Sequence, residues 1–541
     1  MQSILVLFGT ESGNAQGLAK RAGESLAAAG LTANVVDMAE FDPEELAAQR
    51  AVLVITSTYG NGDPPSNAEA LHAWLMKKAP RLESLAFSVC ALGDTTYERF
   101  AQCGKDFDRR LGELGAKRLV DRQDCDVDYD APFDAWLEKV VPALAAAAKS
   151  DAPTSAPARA IPPAPPSAPR NEPPGTRRHP VPATVLANAS LFSYATDLGL
   201  AARDTRHVVI DTSSLPHGYE AGDSIGIWPA NDPALVREIL DSTKLSGDAR
   251  VRVAGTERSL FDALSRHLEI QLVDIRLVER ALGPVPSEAR HAAVHAHHVV
   301  DLVARAQGEW TPESLVDHLR PLAPRLYSVA SSPRVHPHDA WLAASIVRYE
   351  LHGRARSGVA SRFLAADAKP GTSLSIYLQP APHFRLAAKD RDLVMIGPGT
   401  GVAPFRAFLE ERELDRKNGD ATGRAWLFFG ARHRASEFLY RGELEGWLAS
   451  GVLNRLDLAF SRDQAERLHV QHRMREAAAE LYAWIRNGAV VYVCGDAKHM
   501  APEVHATLVE ILSEQGAMSE DAARAELEAM TADKRYQRDV Y

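Results

Sequence analysis

The sequence predicts a multidomain α/β chain: a doubly wound parallel sheet, then an antiparallel β-barrel with a helical insert, then a second parallel sheet. Three observations carry that expectation. The chain has 541 residues, several times the ~100–150 of a common domain. Eleven prolines crowd between Pro153 and Pro182, a composition that supports neither a core nor a regular ladder. Continuous apolar runs alternate with helical stretches before this segment, and that texture returns only near the C-terminus.

Residues 1–148 contain "ILVLFG", "AVLVITSTYG" and "FSVCALGD", separated by amphipathic stretches such as "NAQGLAKRAGESLAAAG". Buried strands separated by helices indicate a parallel sheet covered on both faces. Residues 149–182 read as a semi-stiff tether rather than as a ligand for an SH3-type domain. In residues 183–390 the texture changes to short strands among turns: "RHVVIDTSS", "DSIGIWPA", "RLYSVASS" and "AASIVRYEL". Within them, about 231–320 is helical in pattern. From 391 to 541 strand–helix alternation resumes with "DLVMIGPGTG", "RAWLFFGAR", "RLDLAFSR" and "AVVYVCGDA".

Composition narrows the function classes. Hydrophobic residues make up 45% and charged residues 24%, as in globular chains. A net charge of -10 argues against nucleic acid as a partner. Residues 1–148 hold 22 Asp and Glu against 14 Lys and Arg, a net of -8, so most of the field lies there. The acidic run Asp121–Asp134 reads either as a surface that steers a basic partner or as a solvated loop. The four cysteines form no C-x-x-C pair, which disfavours a disulfide framework or zinc site and fits a reducing cytoplasm. No apolar run approaches the roughly 20 residues of a membrane helix, and the N-terminus lacks the marks of a signal peptide. The histidines of "HAAVHAHHVVD" (His291–Asp301) have no Cys or paired carboxylates at ligand spacing, so no metal site is expected.

Ligands of open parallel sheets sit beyond the carboxyl ends of the strands. "GTESGNA" (Gly9–Ala15) ends the first strand and opens a helix. Its small and hydroxyl residues Thr10, Glu11, Ser12, Gly13, Asn14 and Ala15 suit a phosphate at a helix N-terminus. The absence of Lys favours a monophosphate ester over a metal-bound triphosphate. Ser57, Thr58, Tyr59 and Gly60 end a later strand; Leu92, Gly93, Asp94, Tyr97 and Phe100 follow another. Tyr59 and Tyr97 are placed to sandwich a planar ring. Each piece alone also reads as an ordinary turn, but the ordered set resembles flavodoxin and points to FMN.

In "RLYSVASS", Arg325 suits a pyrophosphate, Tyr327 a ring face and Ser328 a reacting nitrogen, with Leu326 between them. Gly358, Val359, Ala360 and Ser361 precede an apolar stretch, a second helix-start anion site. Together these resemble the FAD motifs of the ferredoxin–NADP reductase family, in which Arg348 and Tyr349 also fall at cofactor-contacting places. "MIGPGTGVAPFRAF" is a strand, a glycine turn containing Gly399 and Thr400, and a helix, as in a dinucleotide site. Ser461, Arg462 and Arg467 cluster near a strand end, and guanidinium groups favour a 2′-phosphate and hence NADPH.

The whole series, ending in "KRYQRDVY", resembles the diflavin reductase family, and within it the flavoprotein (alpha) subunits of NADPH-dependent assimilatory sulfite reductases. The resemblance implies electron flow from NADPH to FAD to FMN to a one-electron acceptor: the sulfite reductase hemoprotein, serving cysteine biosynthesis, or a cytochrome. It implies hydride-transfer roles for Ser328, Cys494 and Asp539, and a place for Tyr541 over the FAD ring, as a chain end that swings aside cheaply. Cys494 otherwise reads as a small buried residue, and Asp539 as a surface acid beside Arg535 or Arg538. Gln471 falls at a nucleotide-contacting position. The sequence departs from the sulfite reductase pattern at Tyr59, where Gln is frequent, at His469 in place of Tyr, and at Glu503 in place of Asp. The first strand starts at Ile4, so neither the oligomer-building extension of bacterial members nor the membrane anchor of microsomal ones is expected. A catalytically silent flavin-binding module is the non-enzymatic alternative.

Overall fold

The computed structural model describes residues 3–10, 13–59, 62–95, 97–150, 174–191, 204–286 and 289–541. Glu11, Ser12, Gly60 and most of the expected tether lie outside the described residues. The chain divides into two compact units, Met1–Pro173 and Pro174–Tyr541.

In the first unit, parallel strands run in the order Ala33–Asp37, Ile4–Gly9, Ala51–Ser57, Ala86–Leu92 and Lys117–Arg118, with Gln123–Cys125 also on Ala86–Leu92. Side chains alternate across a strand, and here both faces are apolar. Leu5, Leu7, Val52 and Val54 enter one core, while Ile4, Val6, Phe8, Leu53 and Ile55 enter the other. Burying each such side chain stabilises by about 1.5–3 kcal/mol, which makes the continuous apolar runs strands of a covered sheet. The last helix of this unit, Asp130–Ser150, runs into the segment expected to be tether.

The second unit begins its barrel with Val181–Ser190, two residues before the expected boundary. Six antiparallel strands follow the order Arg325–Ser328, Ser224–Trp228, Ser373–Gln379, Val181–Ser190, Thr205–Asp211, Asp339–Ser345. A bridge between Val329 and Leu342 joins the first to the last and closes the barrel. The helical insert lies between Ser224–Trp228 and Arg325–Ser328, with its own core around Val236, Ile239, Leu264, Leu277 and Leu302.

A five-stranded parallel sheet completes the unit, in the order Arg455–Phe460, Ala425–Ala431, Leu393–Ile396, Val490–Gly495, Tyr536–Val540. Barrel and sheet are welded by Arg406, which is 1% exposed. Its guanidinium donates to the Ala330 carbonyl at 2.7 Å, pairs with Glu410 at 2.9 Å and with Glu443, and lies 4.1 Å from the Trp341 ring centre. No helix among the described residues is long and apolar enough to cross a membrane.

Three histidines of this unit are pushed down to about 4, chiefly by burial: His207, His298 and His505. Folding therefore favours their neutral forms, whereas the unfolded chain protonates them near 6.5. Their contribution to stability is present above about pH 6.5 and is lost as pH falls toward 4. Melting temperature is expected to drop across that window, and His505→Phe to flatten part of the drop; an unchanged slope in the variant contradicts this.

Candidate functional site

The first unit gathers its polar groups at the carboxyl ends of its strands. Gly13 stands at φ 78°, a left-handed turn that leads directly into the helix Asn14–Ala28. The Thr10 amide donates to Asn67 Oδ1 at 2.7 Å. Thr10 is 5% exposed, and its hydroxyl is buried with no partner among the described residues. A buried, unsatisfied hydroxyl beside a helix start fits an anionic ligand that supplies the missing bond. Asn14 accepts from the Tyr129 hydroxyl at 3.0 Å, and Ala15 is buried behind it.

The neighbouring loops are stiff. Ser57 donates to the Gly9 carbonyl at 3.4 Å, and Thr58 Oγ1 accepts the Cys103 amide at 3.1 Å. Tyr59 and Asp63 exchange both backbone hydrogen bonds around Gly62. Leu92 is buried; the amide of Gly93 donates to the Cys125 carbonyl at 2.9 Å, and the Asp94 carbonyl accepts the Tyr97 amide at 3.0 Å. Tyr97 is 36% exposed, and Phe100 lies 5.2 Å from the Lys105 ammonium. Within the acidic run, Arg21 bridges Asp130 and Asp134, Arg122 pairs with Asp124, and Thr95 donates to Asp126.

The second unit holds two clefts. The first, of about 500 Å³, is lined by Arg325, Leu326, Tyr327, Ser328, Tyr349, Gly358, Val359, Ala360 and Ser361, with Thr400 and Tyr541 at its far end. Leu326, Val347, Tyr349 and Tyr541 leave apolar surface uncovered around it, and its polar lining is one guanidinium, the Glu269 carboxylate, the Gln271 amide and a few hydroxyls. This donor set fits a planar ring with a phosphate tail. Arg348 does not join it; its side chain is exposed and pairs with Asp204 at 3.4 Å. The apolar stretch after Gly358 is a single α turn, Val359–Arg362, followed by a π turn. His298 donates to or accepts from the Tyr349 hydroxyl at 2.7 Å, and His297 meets His352 at 3.0 Å.

The second cleft, of about 1010 Å³, is lined by Gly399, Thr400, Ser461, His469, Gln471 and Glu503, and also by Arg432, His472 and Arg475. Gln471 donates to Glu503. Arg462 and Arg467 are exposed and outside the lining, although their neighbours Ser461 and Leu468 belong to it. Sequence reasoning missed Arg432 and Arg475. Arg432 immediately follows the strand Ala425–Ala431, so the strand-end rule already used elsewhere in the chain pointed to it. Arg475 lies on the helix Val470–Glu476 and carried no local signal.

The two clefts share Ser345, Val347, Thr400 and Tyr541. Beside this junction the Ser328 hydroxyl donates to Asp539 Oδ2 at 2.8 Å, and the Cys494 thiol points to the same oxygen at 3.8 Å. Parallel pairing sets Cys494 opposite Asp539. Cys494 is fully buried and lines neither cleft. Burial first, and the Asp539 carboxylate second, push its thiol well up, so it keeps its proton. Asp539 is thus anchored to a barrel serine. Tyr541 is not a loose end. Its amide donates to the Gly495 carbonyl and its carbonyl accepts from Ala497, both at 3.0 Å, while its hydroxyl meets Thr400 at 3.2 Å. Its backbone is therefore held at both its amide and its carbonyl.

The flavodoxin family matches residues 6–136, and the oxidoreductase NAD-binding domain family matches residues 395–506. The chain is 42% identical to the sulfite reductase [NADPH] flavoprotein alpha-component of Bacillus subtilis (strain 168), over the whole of this chain and 89% of that protein. It is 40% identical to the protein of the same name from Klebsiella pneumoniae, and 39% to that of Escherichia coli (strain K12), in each case over the whole of this chain and 90% of the relative.

Proposed function

This chain belongs to the family of sulfite reductase [NADPH] flavoprotein alpha-components, and from that premise we propose that it takes electron pairs from NADPH and delivers them singly to a heme or iron–sulfur protein, the sulfite reductase hemoprotein, in the cytoplasm. It is an NADPH-dependent diflavin oxidoreductase with FMN, FAD and NADPH as its cofactors. Thr10 and the start of the helix Asn14–Ala28 would hold FMN; Arg325, Tyr327, Tyr349 and Ser361 would hold FAD; Thr400, Ser461 and Gln471 would hold NADPH. Bound, the two flavins supply the conversion of a hydride donor into a one-electron source.

The protein's own part is orientation and proton placement. Asp539 fixes the Ser328 hydroxyl at the edge of the barrel cleft, and burial, reinforced by Asp539, keeps the Cys494 thiol protonated. Thr400 and Tyr541 narrow the junction between the clefts, so a dinucleotide ring entering from one side meets the other cleft only when the Tyr541 ring rotates away. The observation that carries this reading is the convergence of hydroxyl, carboxylate and thiol at that junction.

Extraction of pigment from the purified chain is expected to yield FMN and FAD in about equal amounts, and anaerobic mixing with NADPH to bleach both. A single flavin species, or no bleaching, overturns the proposal. With the hemoprotein added, sulfite reduction to sulfide tests the partner. For the 2′-phosphate, replacing Ser461, Arg462 and Arg475 together with alanine is expected to raise KM for NADPH at least about tenfold, since a charge-assisted hydrogen bond contributes about 1.5–3 kcal/mol. KM for NADH stays within about twofold.

A further inference from the structure

Successive side chains of a strand point to opposite faces. On the terminal strand Tyr536–Val540, Gln537 and Asp539 share one face, and Tyr541 continues it. Asp539 meets Ser328 and Tyr541 meets Thr400. Gln537 lines neither cleft, yet it is 8% exposed and fully engaged. Its Oε1 accepts the Arg385 amide at 2.8 Å, and its Nε2 donates to the Lys534 carbonyl at 2.8 Å.

Arg385 is itself anchored on every side. Its carbonyl accepts the Tyr492 hydroxyl at 2.9 Å, and Tyr492 stands opposite Gln537 in the parallel register. Its guanidinium donates to Asp223 Oδ1 at 2.6 Å, and Asp223 is 1% exposed. The main-chain oxygen of Asp223 accepts the amide of Val329 at 2.9 Å, the residue after Ser328. These hydrogen bonds, with the main-chain links 328–329 and 537–539, form a closed circuit from Ser328 through Asp539, Gln537, Arg385 and Asp223 back to Val329.

We propose that Gln537 is a positioning residue, which sets the placement of the terminal strand against the barrel and thereby the Ser328–Asp539 contact and the seat of Tyr541. The physical need is clear. The strand is the outermost of its sheet and is paired on one side only, and chain ends so placed fray unless tied down. The strand is held along one edge by its ladder to Val490–Gly495. Toward the barrel, the Ser328–Asp539 bond fixes one point, and the Gln537–Arg385 bond, two residues away, fixes a second.

The inference rests on the reading of the cleft junction as a hydride-transfer site. Its test compares the full chain with Gln537→Met, which keeps the bulk and deletes the acceptor, and with Gln537→Glu, which keeps an acceptor for the Arg385 amide. In flavin-free protein, hydrogen–deuterium exchange at Val540 and Tyr541 is expected to accelerate about tenfold in Gln537→Met and to stay within about twofold in Gln537→Glu. With flavins bound, the rate of anaerobic reduction by NADPH falls about tenfold in Gln537→Met with KM nearly unchanged, and Gln537→Glu restores it. Unchanged exchange in Gln537→Met overturns the proposal, as does equal loss in both variants. Should Gln537→Met fail to fold, Gln537→Asn, which draws the acceptor back by one methylene, is read in the same way. Reduction of the wild-type chain in the same series tests the functional reading separately.

Discussion

Replacing Asp539 with alanine lowers the rate of flavin reduction by NADPH about a hundredfold and leaves KM for NADPH within about threefold. Asp539 lines neither cleft, so nucleotide binding does not depend on it directly. It accepts the Ser328 hydroxyl at 2.8 Å and lies 3.8 Å from the Cys494 thiol. Its removal frees the Ser328 hydroxyl and takes from the buried thiol its carboxylate neighbour. Losing a single preorganised polar group of this kind costs about 10²–10³ in rate. Anaerobic stopped-flow absorbance follows the loss, and deuterated NADPH sharpens it, because hydride transfer then limits the rate. A variant as fast as wild type removes Asp539 from the site. Since burial already holds the Cys494 thiol well above its ordinary range, the wild-type rate is expected to show no break from thiol ionisation between pH 7 and 9 in roughly the range where free thiols titrate.

Gly93→Ala is expected to empty the first unit of FMN while the second unit keeps FAD. A Cβ at position 93 would lie 2.6 Å from the Ala101 amide nitrogen and 2.9 Å from the Phe100 ring. The amide is backbone at the start of a buried helix and cannot step aside, and Gly93 is itself tied to the Cys125 carbonyl. The loop carrying Asp94 and Tyr97 must therefore move. Flavin extraction should return FAD with less than about a tenth of the normal FMN. NADPH should still bleach the remaining flavin, while electron delivery to the hemoprotein falls about a hundredfold. Gly17→Ala is the control: nothing lies within 4 Å of its Cβ, and Ala in a helix interior is better than Gly by about 0.5–1 kcal/mol. Equal FMN content in the two variants contradicts the placement of the ring at the Gly93 loop.

Much of the site was legible because it sits at strand ends. "ILVLFG" followed by "GTESGNA", and "DLVMIGPGTG" followed by "VAPFRAF", announce a buried strand, a turn and a helix within a dozen residues. Thr400 and Ser461 follow from that rule, and Ser328 from the residue pattern of its own strand run, Arg325–Ser332. Arg348 enters by resemblance alone; its exposed side chain pairs with Asp204 and lines neither cleft. The run Asp121–Asp134 reads in sequence as either a steering surface or a solvated loop, because Arg21, which pairs with Asp130 and Asp134, is more than a hundred residues away in the chain.

The sequence by itself determined the succession of architectures: parallel sheet, proline-rich segment, barrel with insert, parallel sheet. Each follows from hydrophobic periodicity and from glycine and proline punctuation, which act over a few residues and need no partner. Tertiary structure alone decided that Ser328 meets Asp539 across 211 residues and that Cys494 shares that carboxylate across 45. It also decided which arginines line the nucleotide cleft, and that the final tyrosine is fastened rather than loose. Such contacts depend on parallel register and on how a barrel packs against a sheet, and both are settled by burial of surfaces far apart in the chain.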